Sequence, residues 1–207
     1  MTHIKICGLT NPTDAQLAVK AGASFLGFIV AAQSPRVASL QSAQQCVQTV
    51  GKRAQCVGVF QNASLHHIKA VLSQVSFQAI QLHGQESAED CQNSPLPVIK
   101  ALVGLTPQHI LQQAQAYQTV SIQQLPYFLV DFPKNAPSKP LPLSHPDWQT
   151  LHTLDRPFFI AGGLTPNTVG TVIRNLKPYG VDVASGVERA PGEKDPQLLE
   201  QFCCAVP

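Results

Sequence analysis

Residue types that move protons or hold anions recur in this chain at one kind of place, just where an apolar run gives way to turn residues. Cys7 closes HIKIC, Asp131 closes YFLVD, His83 ends AIQLH, and Arg36 lies in SPR shortly after FLGFIV. A cysteine, an aspartate, an arginine and a histidine gathered in one place would make an acid–base site. Arg36 is either a planar fork for a carboxylate or a solvated loop arginine. His83 is either a ligand contact or an ordinary strand-end residue, and Asp131 either a proton donor or a capping carboxylate. Two glycine-bearing turns suggest a further chemistry: Gly162–Gly163 precede a helix start at Thr165–Pro166, and Ser185–Gly186 follow the last apolar run. Glycines let a backbone approach a ligand, and free N–H groups at a helix start attract phosphate, although such glycines also make plain turns.

The elements that must position these groups alternate along the chain. Strand-like runs are expected at His3–Cys7, Phe25–Val30, Cys56–Phe60, Ala79–His83, Val98–Val103, Tyr127–Asp131, Phe158–Ala161 and Val181–Ser185. Between and after them, Pro12–Ala21, Leu40–Val50, Leu65–Gln74, Pro107–Tyr117, Pro166–Leu176 and Gln197–Ala205 carry apolar residues at helical spacing, often after a Thr, Ser or Asn cap. Eight apolar strands separated by helices point to a closed parallel sheet, so residues 1–207 are read as one α/β domain, a single (β/α)₈ TIM barrel. No GxGxxG follows the first strand, which argues against a dinucleotide-binding open sheet. The proline-rich stretch Phe132–Pro146 reads as a long loop after the sixth strand rather than as a linker between domains.

In such a barrel, reactive groups stand at the C-terminal strand ends, where Cys7, Arg36, His83, Asp131 and both glycine turns all fall. Residues two apart share a strand face, which puts Lys5 in phase with Cys7, and Gln81 with His83. Closure makes the first strand a neighbour of the eighth, so a buried Lys5–Asp182 pair is expected one layer below the mouth. That ammonium either favours the Cys7 thiolate or serves only the interior polar layer. Lys100 is placed in the same inward phase.

Composition limits the partners. A net charge of +2 without a basic cluster argues against nucleic acid, and no segment offers the ~20 continuous apolar residues a bilayer requires. Neither a basic leader nor an apolar anchor is evident, so a cytoplasmic location is expected, with a small-molecule partner and a monomer as the default. The six cysteines form no CxxC pair and no zinc spacing, and are read as free thiols.

Taken together, the motifs KICGLT, GFIV with SPR, VGVF, QLHG, LVD, GGLTPNTV, and VDVASGVE leading to PGEKD resemble the phosphoribosylanthranilate isomerases in order and spacing, over most of the chain. The resemblance implies an Amadori rearrangement in tryptophan biosynthesis, taking N-(5-phosphoribosyl)anthranilate to 1-(2-carboxyphenylamino)-1-deoxyribulose 5-phosphate. It implies Cys7 as general base, Asp131 as general acid, Arg36 and His83 as substrate contacts, and Gly163, Ser185 and Gly186 at the phosphate, where the glycine pair adds Gly162. No metal or organic cofactor is implied, because an iminium formed on the substrate serves as the electron sink. Two features depart from the family pattern. Phe132–Pro146 lacks the usual glycines, leaving only Asp147 and Trp148 of that segment, and Ala161 stands where serine is common. A proline-rich loop is expected to be stiffer than a glycine-rich one. Two other readings are a sister sugar-phosphate isomerase, which would not depend on Arg36, and a silent phosphate-binding barrel.

Overall fold

A computed structural model describes residues 2–31, 33–132 and 146–207. The strands β1 (His3–Cys7), β2 (Phe25–Ala31), β3 (Gln55–Phe60), β4 (Ala79–Leu82), β5 (Val98–Val103), β6 (Tyr127–Asp131), β7 (Phe158–Ala161) and β8 (Gly180–Val183) close into a parallel barrel in chain order. Helices α1 (Pro12–Ala21), α2 (Leu40–Val50), α3 (Leu65–Leu72), α4 (Ala88–Gln92), α5 (Pro107–Gln115), α6 (Pro166–Leu176) and α7 (Pro196–Cys204) surround it, and a 3₁₀ run at Pro146–Thr153 stands between β6 and β7. This is the expected (β/α)₈ barrel. No helix among the described residues is long and apolar enough to cross a membrane.

The helix starts follow from local chemistry. Asn11, Ser39, Ser64 and Thr106 each accept a hydrogen bond from a backbone N–H in the first turn, and proline occupies the first position of α1, α5, α6 and α7, where a missing N–H costs nothing. Helix α4 was not expected, because five residues are too few to show a period. Its start was nonetheless written in the sequence, since Ser87 and Asp90 cap one another's backbone N–H groups at 3.1 and 2.8 Å. Helices α3 and α5 end two residues earlier than their apolar pattern, and α7 runs one residue earlier at both ends. Strand β8 stops at Val183, so Ser185 belongs to the 3₁₀ turn Ser185–Val187 rather than to the strand. A short hairpin, β9 (Glu188–Ala190) with β10 (Glu193–Lys194), lies between β8 and α7.

Strand alternation divides the core in two. Ile4, Ile6, Leu26, Phe28, Phe128 and Val130 face outward into the layer beneath the helices. Phe25, Val57, Ile99, Leu129 and Phe159 fill the barrel interior. Its lower end is floored by aromatic rings: Phe25 meets Phe159 edge-on at 5.1 Å, and Tyr179 stacks between Tyr127 at 4.6 Å and His3 at 4.5 Å. Above that floor lie the polar groups Lys5, Asp182 and Gln81, all buried.

Lys5 and Asp182 are register partners across the β8–β1 seam, and Lys5 Nζ donates to Asp182 Oδ1 at 2.9 Å, as closure requires. Burial works against the Lys5 charge, but Asp182 and the Cys7 sulfur more than reverse this and hold its pKa above the ordinary value. Lys100 corrects the sequence reading. Its neighbours Ile99 and Ala101 occupy the interior, so Lys100 points outward. There it donates to Glu86 Oε2 at 2.9 Å and to the Gly84 carbonyl at 2.7 Å, and its strand phase had been assigned one residue out.

Of the stretch Phe132–Pro146, residues 133–145 lie outside the described residues, and so does the expected stiffness of that loop. The flanking residues Phe132 and Trp148 are buried against each other with ring centres 4.8 Å apart, and β6 and β7 are barrel neighbours.

Removing the carboxylate of Asp182 would leave the Lys5 ammonium buried without its partner. Asp182→Ala should therefore lower stability by about 3 kcal/mol in urea titration; an unchanged midpoint would contradict the pairing.

Candidate active site

A cavity of about 310 Å³ opens at the C-terminal mouth of the barrel, and every site residue named from the sequence lines it: Cys7, Arg36, His83, Asp131, Gly162, Gly163, Ser185 and Gly186. Its wall has two chemically different sides, one built on β1 and β8 and the other on β4 and β6.

On the first side, Cys7 is buried at the end of β1 with the Lys5 ammonium beside its sulfur. Gly27 on β2 makes room for both, since an added Cβ would lie 2.7 Å from Cys7 Sγ and 2.9 Å from Lys5 Nζ. Burial pushes the thiol above its ordinary range. Lys5 and Lys194 favour the thiolate, but Asp182 opposes them, and the net shift is upward. The direction that the residues alone leave open is thus upward, toward the thiol.

The same side contains a network that sequence reasoning missed. Lys194, buried in the β9–β10 hairpin, donates to the Cys7 carbonyl at 2.6 Å, the Ala184 carbonyl at 3.1 Å and Glu188 Oε1 at 2.8 Å. It ties the end of β1 to the turn after β8. Glu188 also grips Arg36, whose Nε donates to both carboxylate oxygens at 2.9 and 3.0 Å and whose Nη2 donates at 2.7 Å. Arg36 is therefore not a free loop arginine, because its Nε–Nη2 edge is held. Burial alone would raise the pKa of Glu188, but the hydrogen bonds from Arg36 and Lys194 keep it below the ordinary carboxylate range. Burial pushes Lys194 downward against the pull of Glu188. Glu188 and Lys194 lie within the motifs VDVASGVE and PGEKD, which carry the family resemblance but give neither residue a partner.

On the second side, Asp131 ends β6 and His83 follows β4, both partly exposed to the cavity. His83 Nε2 lies 3.1 Å from Asp131 Oδ2, and His83 Nδ1 lies 2.7 Å from Gln81 Nε2. The backbone N–H of His83 donates to the Phe60 carbonyl at 2.8 Å. Behind this turn, Glu86 accepts from the backbone N–H of Asn62 at 2.8 Å and of Gly84 at 2.9 Å while it pairs with Lys100. The outward ion pair thus braces the turn that carries His83.

Gly162 and Gly163 both adopt positive φ, 98° and 70°, a region that favours glycine, and they face Ser185 and Gly186 across one corner of the cavity. The lining reaches Leu164 but takes in no residue of the first turn of α6. Backbone of the two loops, more than the end of α6, is what this corner offers to an anion.

Similarity to known proteins agrees with this geometry. The family model for N-(5'phosphoribosyl)anthranilate (PRA) isomerase matches residues 4–205. The N-(5'-phosphoribosyl)anthranilate isomerase of Pseudomonas aeruginosa is 36% identical over 205 residues, covering 99% of this chain and 94% of that protein. The crystal structure of phosphoribosyl anthranilate isomerase from Thermotoga maritima superposes with a TM-score of 0.87 at 31% identity, covering 98% of this chain and 97% of the other. A further structure of a phosphoribosyl anthranilate isomerase, in complex with reduced 1-(O-carboxyphenylamino)-1-deoxyribulose 5-phosphate, superposes with a TM-score of 0.82 at 31% identity, covering the same shares of the two chains.

Two measurements test the electrostatics of the site. Alkylation of Cys7 by iodoacetamide, followed by peptide mass spectrometry, should accelerate roughly tenfold per pH unit between about pH 7 and about pH 9, because only the thiolate reacts. A rate that levels off below about pH 8 would show the thiol to be depressed instead. Glu188 binds fewer protons in the folded than in the unfolded protein at mildly acid pH. Its contribution to stability is complete above an unfolded value of about 4.3 and is lost as pH falls through its lower folded value. The melting temperature of Glu188→Gln should accordingly fall less steeply between about pH 5 and about pH 2 than that of the wild type, and parallel curves would refute the depressed carboxylate.

Proposed function

The chain belongs to the N-(5'-phosphoribosyl)anthranilate isomerase family, and on that premise we propose that it performs the Amadori rearrangement of N-(5-phosphoribosyl)anthranilate in tryptophan biosynthesis with Cys7 as general base and Asp131 as general acid. The observation that carries the assignment is that the thiol of β1 and the carboxyl of β6 face one cavity of about 310 Å³. A substrate seated between them would meet a proton donor on one side and a proton acceptor on the other.

The sequence of steps suits these groups. Asp131 gives a proton to the ribose ring oxygen while the anilino nitrogen lone pair forms the C1–N double bond and the C1–O bond breaks. The ring opens to an iminium. The Cys7 thiolate then takes the proton from C2, and the C2–H electron pair becomes the C1–C2 double bond as the iminium π electrons return to nitrogen. The resulting enolamine tautomerises to the ketone, with C1 gaining the proton that the C2 hydroxyl loses. The thiolate is the minority form of Cys7 in the free protein, and the ammonium groups of Lys5 and Lys194 offset part of its burial. A thiolate generated at a buried position is poorly solvated and is therefore a strong base.

Binding follows from charge and shape. Glu188 occupies the Nε–Nη2 edge of Arg36, which leaves the Nη1 edge as the fork for the anthranilate carboxylate. The phosphate is assigned to Gly162, Gly163, Ser185 and Gly186, where positive-φ glycines present backbone to the cavity. His83 is assigned to the acid side through its contact with Asp131.

Anthranilate fluorescence, followed as purified protein acts on freshly generated substrate, tests the assignment. Cys7→Ala and Asp131→Asn should each lower kcat by at least about a hundredfold without unfolding the protein, in line with general acid–base contributions. Near-normal turnover by either variant would remove that residue from its role.

A further inference from the structure

Among the described residues, one buried side-chain polar atom has no hydrogen-bond partner: Oε1 of Gln81, whose side chain faces the cavity beneath His83. An orphaned buried carbonyl is costly, and native structures rarely keep one without a reason. Gln81 is 1% exposed. The other end of the same amide, Nε2, is used and lies 2.7 Å from His83 Nδ1.

We propose that Gln81 is a positioning residue that fixes the proton on His83 Nε2, so that His83 donates to Asp131 and leaves the second Asp131 oxygen to carry the transferable proton. This rests on the reading of Asp131 as the general acid. An amide nitrogen donates and cannot accept, so Nδ1 of the ring must be the bare, accepting nitrogen. In a neutral imidazole the proton then stands on Nε2, which is 3.1 Å from Asp131 Oδ2. The chain of donors runs one way, from the Gln81 amide to the ring and from the ring to Oδ2. As Asp131 gives up its proton through Oδ1, negative charge grows on the carboxylate and the bond from His83 strengthens. That interaction is stronger after proton transfer than before it, and so acts on the rate more than on ground-state binding.

Three features hold the chain in this direction. Residues two apart on β4 share a face, so the strand itself stacks Gln81 under His83. The His83 backbone is tied to the Phe60 carbonyl, and its turn is braced by Lys100 and Glu86, which holds the backbone from which the ring projects. The orphaned carbonyl marks the amide as set by His83 and not by its own satisfaction.

Nitrogen-15 NMR of ring-labelled histidine in the wild-type protein reads the tautomer directly, with the His83 signals identified by their loss in His83→Gln. A proton on Nε2 and none on Nδ1 is expected, and any proton on Nδ1 overturns the proposal. Kinetics test its consequence. Gln81→Met removes the donor and the orphan together, and should lower kcat at least about tenfold while KM stays within about threefold. Gln81→Leu keeps much of the bulk but offers no hydrogen-bonding group, so it should match Gln81→Met; wild-type kcat in Gln81→Leu would show that shape alone matters. A folded Gln81→Met protein with kcat within about twofold of wild type overturns the proposal. If Asp131→Asn is inactive in the same assay, the acid assignment stands and only the role of Gln81 falls. If Asp131→Asn is active, the acid assignment itself fails and takes this proposal with it.

Discussion

Closing a parallel sheet of eight strands forces the first strand against the last, and the seam between β1 and β8 is the constraint on which the rest of the mouth depends. Register across that seam pairs Lys5 with Asp182 inside the barrel, where neither charge is tolerable without the other. One layer higher the same seam sets Cys7 beside the turn that follows β8. Lys194 then fastens the two strand ends by donating to the carbonyls of Cys7 and Ala184, and its carboxylate partner Glu188 reaches across to hold Arg36. A single backbone closure thus places Cys7, its electrostatic surroundings and the Arg36 guanidinium.

The side of the mouth that carries Asp131 is built on a different principle. Asp131 is approached by the His83 ring and, through it, by the Gln81 amide, while the charged pair Lys100–Glu86 stands outside the barrel and braces the turn from behind. Full charges surround the thiol, whereas the carboxyl group meets an imidazole oriented by a neutral amide. This asymmetry fits the role proposed for Cys7, since a buried thiol that must lose a proton is helped by nearby cations. Between the two sides, the glycine corner presents backbone to the cavity and adds no side-chain charge that would disturb either group.

Much of this arrangement was legible in the residues. The alternation of apolar runs and capped amphipathic segments determines the barrel, because strands buried on both faces and helices buried on one leave period-specific patterns. Residues at the ends of those runs, Cys7, His83 and Asp131, followed from strand direction alone, and the Lys5–Asp182 pair followed from phase and closure. Elements of two to five residues were not legible, since α4, β9 and β10 are too short for any period to accumulate. The phase of Lys100 failed for a related reason: a run of apolar residues buried on both faces carries no alternation to mark which side is the interior.

Fold class, family and the identity of the groups at the mouth follow from the residues alone, because these depend on local periodicity and on ordered motifs. Tertiary structure alone decided how those groups are paired: that Glu188 holds one edge of Arg36, that Lys194 bridges two strand ends, that burial outweighs nearby ammonium groups at Cys7, and that the Gln81 amide faces His83. Each of these is a balance of desolvation against a specific partner a few ångströms away, brought there from residues as much as 187 positions distant in the chain. Spacing along a sequence has no term for such a balance until the barrel has closed.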